Sequence, residues 1–270
     1  VTERPPVDEA LRRIRTDQPH TARIWNYWLG GKDNYTVDQR AGDQIRRLHP
    51  GIGDYARADR EFLGRAVRHL VEEEGIRQFL DIGTGLPTAD NTHEVAQRIA
   101  PESRIVYVDN DPIVLAHAAA LLHSTPEGST DYLDEDLRNV DTILEHAART
   151  LDLSKPVALM LLGVVIFLED DEEAHNTVRR LVDALPAGSF LVLSHTVTRP
   201  DMPDVDAAVA FWNEHGTPKL TQRTPGAVAR FFDGLELLPP GVVSCNRWRP
   251  GTDEGELPEV AMFGGVGRKG

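Results

Sequence analysis

The sequence predicts an α/β protein with a mostly parallel sheet and helices on both faces. Three observations carry this. Apolar strand-like runs alternate with amphipathic helical stretches from Gln78 to Ser194, the rhythm of repeated βα units. One of those runs, Phe79-Leu80-Asp81-Ile82, passes directly into a glycine turn, Gly83-Thr84-Gly85-Leu86-Pro87-Thr88. Another, Pro156–Leu162, is apolar without interruption, as a strand buried on both faces must be.

Taken in order, residues 1–18 are polar and read as a loose arm that gains a helix near Asp8–Arg15. His20–Leu29 carries Ala22, Ile24, Trp25, Trp28 and Leu29 at helical spacing, and Gly30-Gly31 stops it. Lys32-Asp33-Asn34-Tyr35 is then a polar loop, followed by a helix over Asp38–Leu48. Tyr55–Glu74 is a long amphipathic helix with Phe62, Leu63, Ala66, Val67, Leu70 and Val71 on one face, ended by Gly75. After the first strand and its turn, Asn91 and Glu94 have the spacing of a reciprocal helix cap, and His93 is expected at the surface or behind the site. Arg104–Asp109 is the second strand, and Pro112 opens a helix over Ile113–Leu122, where its missing N–H costs nothing. Ser124–Thr130 reads as a loop, Thr130–Leu133 leads into Asp134-Glu135-Asp136-Leu137, and Val140–Thr150 is a helix. The strand Pro156–Leu162, a helix over Glu172–Leu185 and a strand over Ser189–Ser194 complete the alternation. Helices then follow over Val205–His215 and Pro225–Phe232. Leu235–Leu238, Val242–Cys245 and Val260–Gly265 read as closing strands. The expected division is a helical arm and lid over 1–74 and a larger domain over 75–270, with a helical insertion around 200–233.

The glycine turn is the first place to look for a ligand. Ligands of open α/β sheets sit beyond the carboxyl ends of the strands, and glycine lets backbone approach them closely. A Gly-x-Gly after a strand can also simply close a connection, and the third glycine of a dinucleotide fingerprint is missing here. The next strand adds weight. Asp109 ends it, where a carboxylate is placed to accept both hydroxyls of an adenosine ribose.

With Asp81, Asp109 and Asp136 each near a strand end, the chain resembles the class I S-adenosylmethionine-dependent methyltransferases. The combination Trp25-Asn26-Tyr27, Gly30-Gly31-Lys32-Asp33-Asn34-Tyr35, Phe79–Thr88, Asn91–Gln97 and Val106–Pro112 is similar to one bacterial branch of them, from about Pro19 to the C-terminus. The resemblance implies a Rossmann-like, mostly parallel sheet with an antiparallel C-terminal strand. It also implies S-adenosyl-L-methionine as cofactor, with S-adenosyl-L-homocysteine as product. The turn residues Asp81, Gly83, Thr84 and Gly85 would pass under the methionine portion. Asp109, with Asn110 beside it, would hold the ribose. Asp136 and Leu137 would meet the adenine, and Leu162 at the end of the fourth strand completes the expected cofactor contacts.

The segment after the first helix has two readings. Its aromatic residues can be packing, or the loop can close over the cofactor as an N-terminal lid. Trp25 and Trp28 are assigned to packing, and Tyr27, Lys32, Asn34 and Tyr35 to the lid. Lys32 then meets the methionine carboxylate or lies in solvent. Methyl transfer needs mainly alignment and exclusion of water, with a protein base only if the acceptor arrives protonated. His195, just past the fifth strand, is the candidate base; a hydrogen-bonded structural histidine is the competing reading. Phe211, Trp212, His215 and Trp248 are candidates for an acceptor pocket or for core.

A formal net charge of −14 argues against nucleic acid as partner, because phosphate binding needs clustered Lys and Arg. The single cysteine, Cys245, excludes an intramolecular disulfide and a cysteine-rich metal site. No metal spacing is present, and the Glu169–Glu173 run reads as a solvated helix start. No run has the length of a membrane helix and no apolar segment opens the chain, so the expected location is the cytoplasm. The leading expectation is a methyltransferase acting on a small-molecule acceptor, whose identity and the oligomeric state the motifs do not encode. A non-catalytic protein that binds the cofactor, a nicotinamide-dependent oxidoreductase and a protein or RNA methyltransferase stand as alternatives.

Overall fold

The structure, a computed structural model, describes residues 15–87, 90–114, 117, 123–251 and 258–270. The helix expected near Asp8–Arg15, apart from Arg15 itself, lies outside these residues, as do Thr88 and most of the helix expected over Ile113–Leu122. The described chain runs α1 (Thr21–Trp28), α2 (Thr36–Leu48), α3 (Ile52–Glu72), β1 (Gln78–Ile82), α4 (Thr92–Ile99), β2 (Arg104–Asp109), β3 (Ser129–Asp134) and α5 (Val140–Ala147). It continues with β4 (Ala158–Leu162), α6 (Asp171–Asp183), β5 (Phe190–Thr196), α7 (Pro203–His215), α8 (Pro225–Ala229), β6 (Glu236–Leu237), β7 (Val243–Ser244) and β8 (Met262–Arg268).

One sheet runs in the order β3-β2-β1-β4-β5-β8-β6, with β7 pairing on β8. β1 to β5 are parallel and β8 enters antiparallel beside β5. Chain order reverses between β1 and β4, so the crevice at their carboxyl ends is where such sheets bind ligands. The central strands are apolar on both faces: Leu80 pairs with Val106 on one side and Leu159 on the other, and all three are fully buried. That is why they read as continuous hydrophobic runs. β3 is the exception. As the edge strand it is half-buried along its length and carries Asp131 and Asp134, and it begins at Ser129, inside the stretch expected to be loop.

The C-terminal strand is glycine-rich because bulky side chains lie on it. A Cβ at Gly264 would stand 2.7 Å from the Phe62 ring, and one at Gly267 would stand 2.8 Å from Phe232. Phe62, on the buried stripe of α3, also packs edge-on against the fully buried Trp248 at 5.4 Å between centroids. Trp248 is therefore core. The cap at Asn91 forms as its spacing predicts, with Glu94 accepting from the Asn91 backbone N–H at 2.8 Å. His93 is not at the surface: it is buried, and the Tyr107 hydroxyl lies 2.8 Å from its Nδ1.

The N-terminal helices are tied to one another by one carboxylate. Asp38, fully buried on α2, accepts from the His20 backbone N–H at 2.9 Å, Arg23 Nε at 2.7 Å and the Tyr35 backbone N–H at 2.8 Å. Arg23, itself buried, donates through Nη2 to the carbonyls of Arg15 and Gln18. Removing one member of such a pair leaves an uncompensated buried charge. Asp38→Ala is expected to lower the unfolding free energy by about 3–5 kcal/mol, read from urea denaturation.

Candidate cofactor and active site

A cavity of about 460 Å³ opens at the carboxyl ends of β1, β2 and β4. Its floor is the glycine turn. The Gly83 N–H donates to the Val108 carbonyl at 2.8 Å, so the chain leaves β1 still tied to β2 before it bends. Gly83 and Gly85 both have positive φ, 79° and 67°. At Gly83 a Cβ would also collide with Val164 at 2.4 Å, which excludes any larger residue. At Gly85 a Cβ would meet no atom within 4 Å, because the space above it is the cavity.

Asp109 ends β2 and orients this floor. Its Oδ2 accepts from the Gly85 N–H at 2.8 Å and its Oδ1 from the Asp111 N–H at 2.9 Å. Asp81 ends β1 beneath the turn and accepts from Thr92 Oγ1 at 2.6 Å. At the far side Asn110 Nδ2 donates to Asp136 Oδ2 at 3.2 Å, and Arg138 Nε joins Glu173 at 3.0 Å, across the loop that follows β3. Leu137 and Leu162 add apolar wall. The structure thus brings Asp81, Gly83, Thr84, Gly85, Asp109, Asn110, Asp136, Leu137 and Leu162 to one cavity.

It does not bring Tyr27, Lys32, Asn34 or Tyr35 there. The Tyr27 hydroxyl donates to Asp43 at 2.7 Å and its ring lies against Gly42 on α2. Asn34 Nδ2 donates to Asn26 Oδ1 at 2.9 Å and to the Gly31 carbonyl at 3.0 Å. Tyr35 precedes α2 with its ring beneath the Arg23 guanidinium, and Lys32 is exposed. The polar functions of this loop close the turn after α1. Gly31 is bare because the Asn26 amide occupies the place of its Cβ. The part of the arm that roofs the cavity is α1 itself, through His20, Thr21, Ala22, Trp25, Asn26 and Leu29.

His195 is also elsewhere. It is fully buried on β5, its Nδ1 donates to the Thr196 carbonyl at 2.8 Å, and its Nε2 accepts from Arg223 Nη1 at 2.8 Å. Burial, helped by the Arg223 charge, pushes its pKa down to about 3 despite the carbonyl bond. With its one lone pair engaged by a cation, the ring has no basic site to offer. It sits inside the sheet, paired to Phe263 of β8, and faces Arg223 and not the cavity. Phe211 and His215 stack on each other at the outside of α7, and Trp212 turns inward.

Two residues missed in the sequence line the cavity from α3: Asp59 and Arg60. Their signal was present. Asp59 falls at helical spacing between buried Ala56 and buried Phe62 and Leu63, so a charge interrupts the apolar stripe. Asp59 is surrounded by protein yet keeps accessible surface toward the cavity. Desolvation raises its carboxyl to about 6, partly offset by a hydrogen bond from Ser194 and by the Arg60 charge. Asp81 and Asp109 are raised to about 6 by the same desolvation, offset for Asp81 by Thr92 and Arg60 and for Asp109 by the backbone N–H groups of Asp111 and Gly85. Arg60 Nη2 donates to Asn91 Oδ1 at 2.8 Å, and burial lowers its pKa against the opposing charge of Asp81. The cavity is therefore lined by desolvated carboxylates, with Arg60 at its α3 wall and Arg138 and Lys219 elsewhere on its lining. Among the described residues no cluster of His, Cys, Asp or Glu could hold a metal ion.

This sheet order, glycine turn and carboxylate at the end of β2 define a Rossmann-like methyltransferase fold. The comparisons agree. Residues 7–270 match the S-adenosyl methyltransferase family, and the chain belongs to it. It is similar to the crystal structure of a DUF574 family protein from Streptomyces avermitilis MA-4680, at 44% identity over 96% of this chain and 100% of that one, with a TM-score of 0.91. A presumptive methyltransferase from Thermobifida fusca YX is 37% identical over 100% and 99% of the two chains, with a TM-score of 0.86. Magnesium protoporphyrin IX methyltransferase from Synechocystis PCC 6803, solved with S-adenosylhomocysteine, shares the fold at 12% identity, covering 92% and 93%, with a TM-score of 0.53. No curated protein matches the chain. The protein is a methyltransferase that uses S-adenosyl-L-methionine.

The raised carboxyls have a stability consequence. The folded-state value of Asp59 lies above that of the unfolded chain, so the stabilising proton uptake is complete below about pH 4 and is lost as pH rises through about 6. Asp59→Asn is expected to raise the stability of the ligand-free protein at pH 8 by about 1–3 kcal/mol, with the gain vanishing near pH 4. Thermal unfolding of both proteins at the two pH values checks this.

Proposed function

We propose that the enzyme transfers the methyl group of S-adenosyl-L-methionine to a small molecule held beneath α1. One observation carries the acceptor class: α1 roofs part of the carboxyl edge of the sheet, so the site is a partly covered cavity that suits a small molecule better than a folded protein or a nucleic acid. The net charge of −14 supports the same reading. Within the arm of 1–74, α1 then serves as the cover over a cofactor-binding domain of 75–270. We place the enzyme in the cytoplasm on composition. Among the described residues no helix is long and apolar enough to cross a membrane.

The donor set fits the cofactor. Asp109, fixed by two backbone N–H groups, keeps lone pairs for the ribose hydroxyls. Asn110, Asp136 and Leu137 form the adenine end, and Leu162 borders the reacting end. The bare space over Gly85 admits the methionine portion, with Arg60 as partner for its carboxylate and Asp81 and Asp59 for its positive charges. When bound, the cofactor supplies an electrophilic methyl on a sulfonium. The chain's own work is to orient it, exclude water and offset its charge. A dinucleotide fits less well: Gly83 and Gly85 have no third glycine partner, and α1 occupies the region beside the turn. A cofactor sensor without an acceptor would use the same floor, so turnover separates the two.

Asp109→Ala is expected to weaken S-adenosylhomocysteine binding by about 1.5–3 kcal/mol, the scale of hydrogen bonds to a charged group, in calorimetry. Hydrogen exchange with and without this ligand should show added protection at Thr21–Leu29 and Gly83–Leu86, and little at Lys32–Tyr35. Incubation with labelled S-adenosylmethionine and a fractionated cell extract should place the label in the small-molecule fraction. Label confined to protein or RNA would refute the small-molecule reading.

A further inference from the structure

The cofactor cavity follows the order of the sheet. One end, at Asn110, Asp136 and Leu137, lies past β2 and β3; the other, at Leu162, Gly163 and Phe167, lies past β4. One carboxylate stands at this second end. Asp59 of α3 lines the cavity and keeps accessible surface there. Its Oδ2 is 3.9 Å from the place a Cβ on Gly163 would take, and its Oδ1 is 3.9 Å from the thiol of buried Cys245. Ser194, fully buried on β5, aims it: Ser194 Oγ accepts from the Gly163 N–H at 3.0 Å and donates its own proton to Asp59. The carboxyl is thus held between the ends of β4 and β5, away from Asn110 and Asp136.

The groups that hold Asp59 are neutral, a hydroxyl and a thiol, and the basic side chains of the lining are engaged elsewhere. Arg60 donates to Asn91, with Asp81 the strongest negative charge acting on it. Arg138 pairs with Asp136 and Glu173. Lys219 donates to the carbonyls of Asn213 and Gly216, and His20 Nδ1 lies 2.9 Å from Asp111. A carboxylate can accept about four hydrogen bonds, and two neutral donors leave Asp59 with lone pairs toward the cavity. A desolvated carboxylate in that state gains most from a ligand that brings both a positive charge and N–H donors.

Resting on the methyltransferase reading above, we infer that the methyl acceptor is an amine that enters protonated, and that Asp59 receives it at the reacting end as ion-pair partner and general base. With the adenine past β2 and β3, the β4 end of the cavity is where sulfonium and acceptor meet. One N–H proton passes from the ammonium to the Asp59 carboxylate and frees the nitrogen lone pair. That pair forms the new N–CH₃ bond as the S–CH₃ bond breaks, its pair returning to sulfur. The product is an N-methylammonium, and the Asp59 carboxyl gives its proton to solvent. Asp59 is the catalytic residue and Ser194 its positioning residue. An acceptor that must become an oxyanion fits less well, because its developing charge would meet the like charges of Asp59 and Asp81.

The test uses sinefungin, an analogue of the cofactor in which a carbon bearing an ammonium replaces the methylated sulfur, with S-adenosylhomocysteine as the neutral reference. Calorimetry at neutral pH should show the wild-type protein binding sinefungin about tenfold tighter or more, the scale of one charge-assisted hydrogen bond. Asp59→Asn should bind S-adenosylhomocysteine with unchanged affinity and lose the preference for sinefungin. Ser194→Ala should reduce the preference, and serves as the readout if Asp59→Asn does not fold. No preference in the wild type, or its full retention in either variant, would overturn the inference. So would an equal loss of both ligands in Asp59→Asn, which would assign Asp59 to the ammonium that the two ligands share. When labelled S-adenosylmethionine is incubated with cell extract, the labelled product should be held by a cation exchanger at neutral pH and survive mild alkali; a neutral or alkali-labile product would also overturn it. Failure of S-adenosylhomocysteine to bind the wild type would strike instead at the cofactor assignment, a separate result in the same samples.

Discussion

The site depends on a buried ion pair that lies outside it. Asp38 gathers the backbone of His20, the guanidinium of Arg23 and the backbone of Tyr35 around one carboxylate. These contacts fix where α1 begins, how it is rotated and where the following loop ends. α1 in turn supplies the roof of the cofactor cavity. A parallel sheet with its glycine turn could form without this clamp, but its carboxyl edge would stand open to water. Methyl transfer to any nucleophile must exclude water as a competing one.

The cavity carries a second cost. Asp59, Asp81 and Asp109 are each desolvated, and their carboxyls are raised to about 6. At neutral pH their charges oppose folding of the ligand-free chain and favour a ligand bearing positive charge. Stability is given up where binding needs it, a common arrangement at functional sites. S-adenosyl-L-methionine, which carries a sulfonium and an ammonium, suits such a field.

Two histidines show how context decides chemistry. His195 stands at a strand end, where a pocket-facing base is expected, yet both of its nitrogens are engaged in the core by Thr196 and Arg223. His49 follows a helix with no motif around it, yet its Nδ1 is tied to the Asp204 carboxylate at the start of α7. A histidine acts as a base when one nitrogen is fixed and the other is free, and neither condition is visible from its position along the chain.

The sequence by itself determined what depends on local pattern. Apolar runs set the strands, the Asn91–Glu94 spacing set a cap, and Gly83 and Gly85 marked a turn with positive φ at both, where Val164 excludes a side chain at Gly83. Asp109 was legible because a strand end in a parallel sheet has one direction to face. Tertiary structure decided everything that rests on partners far apart in the chain. Asn26 and Gly31 absorbed the polar loop of Lys32–Tyr35, so the roof fell to α1. Asp59 and Arg60 became lining residues because α3 lies across the sheet edge, which a helical stripe alone does not orient. His49 and Asp204 are 155 residues apart and meet because α2 and α7 pack together. Periodicity fixes which face of an element is buried; only the assembled fold fixes what that face touches.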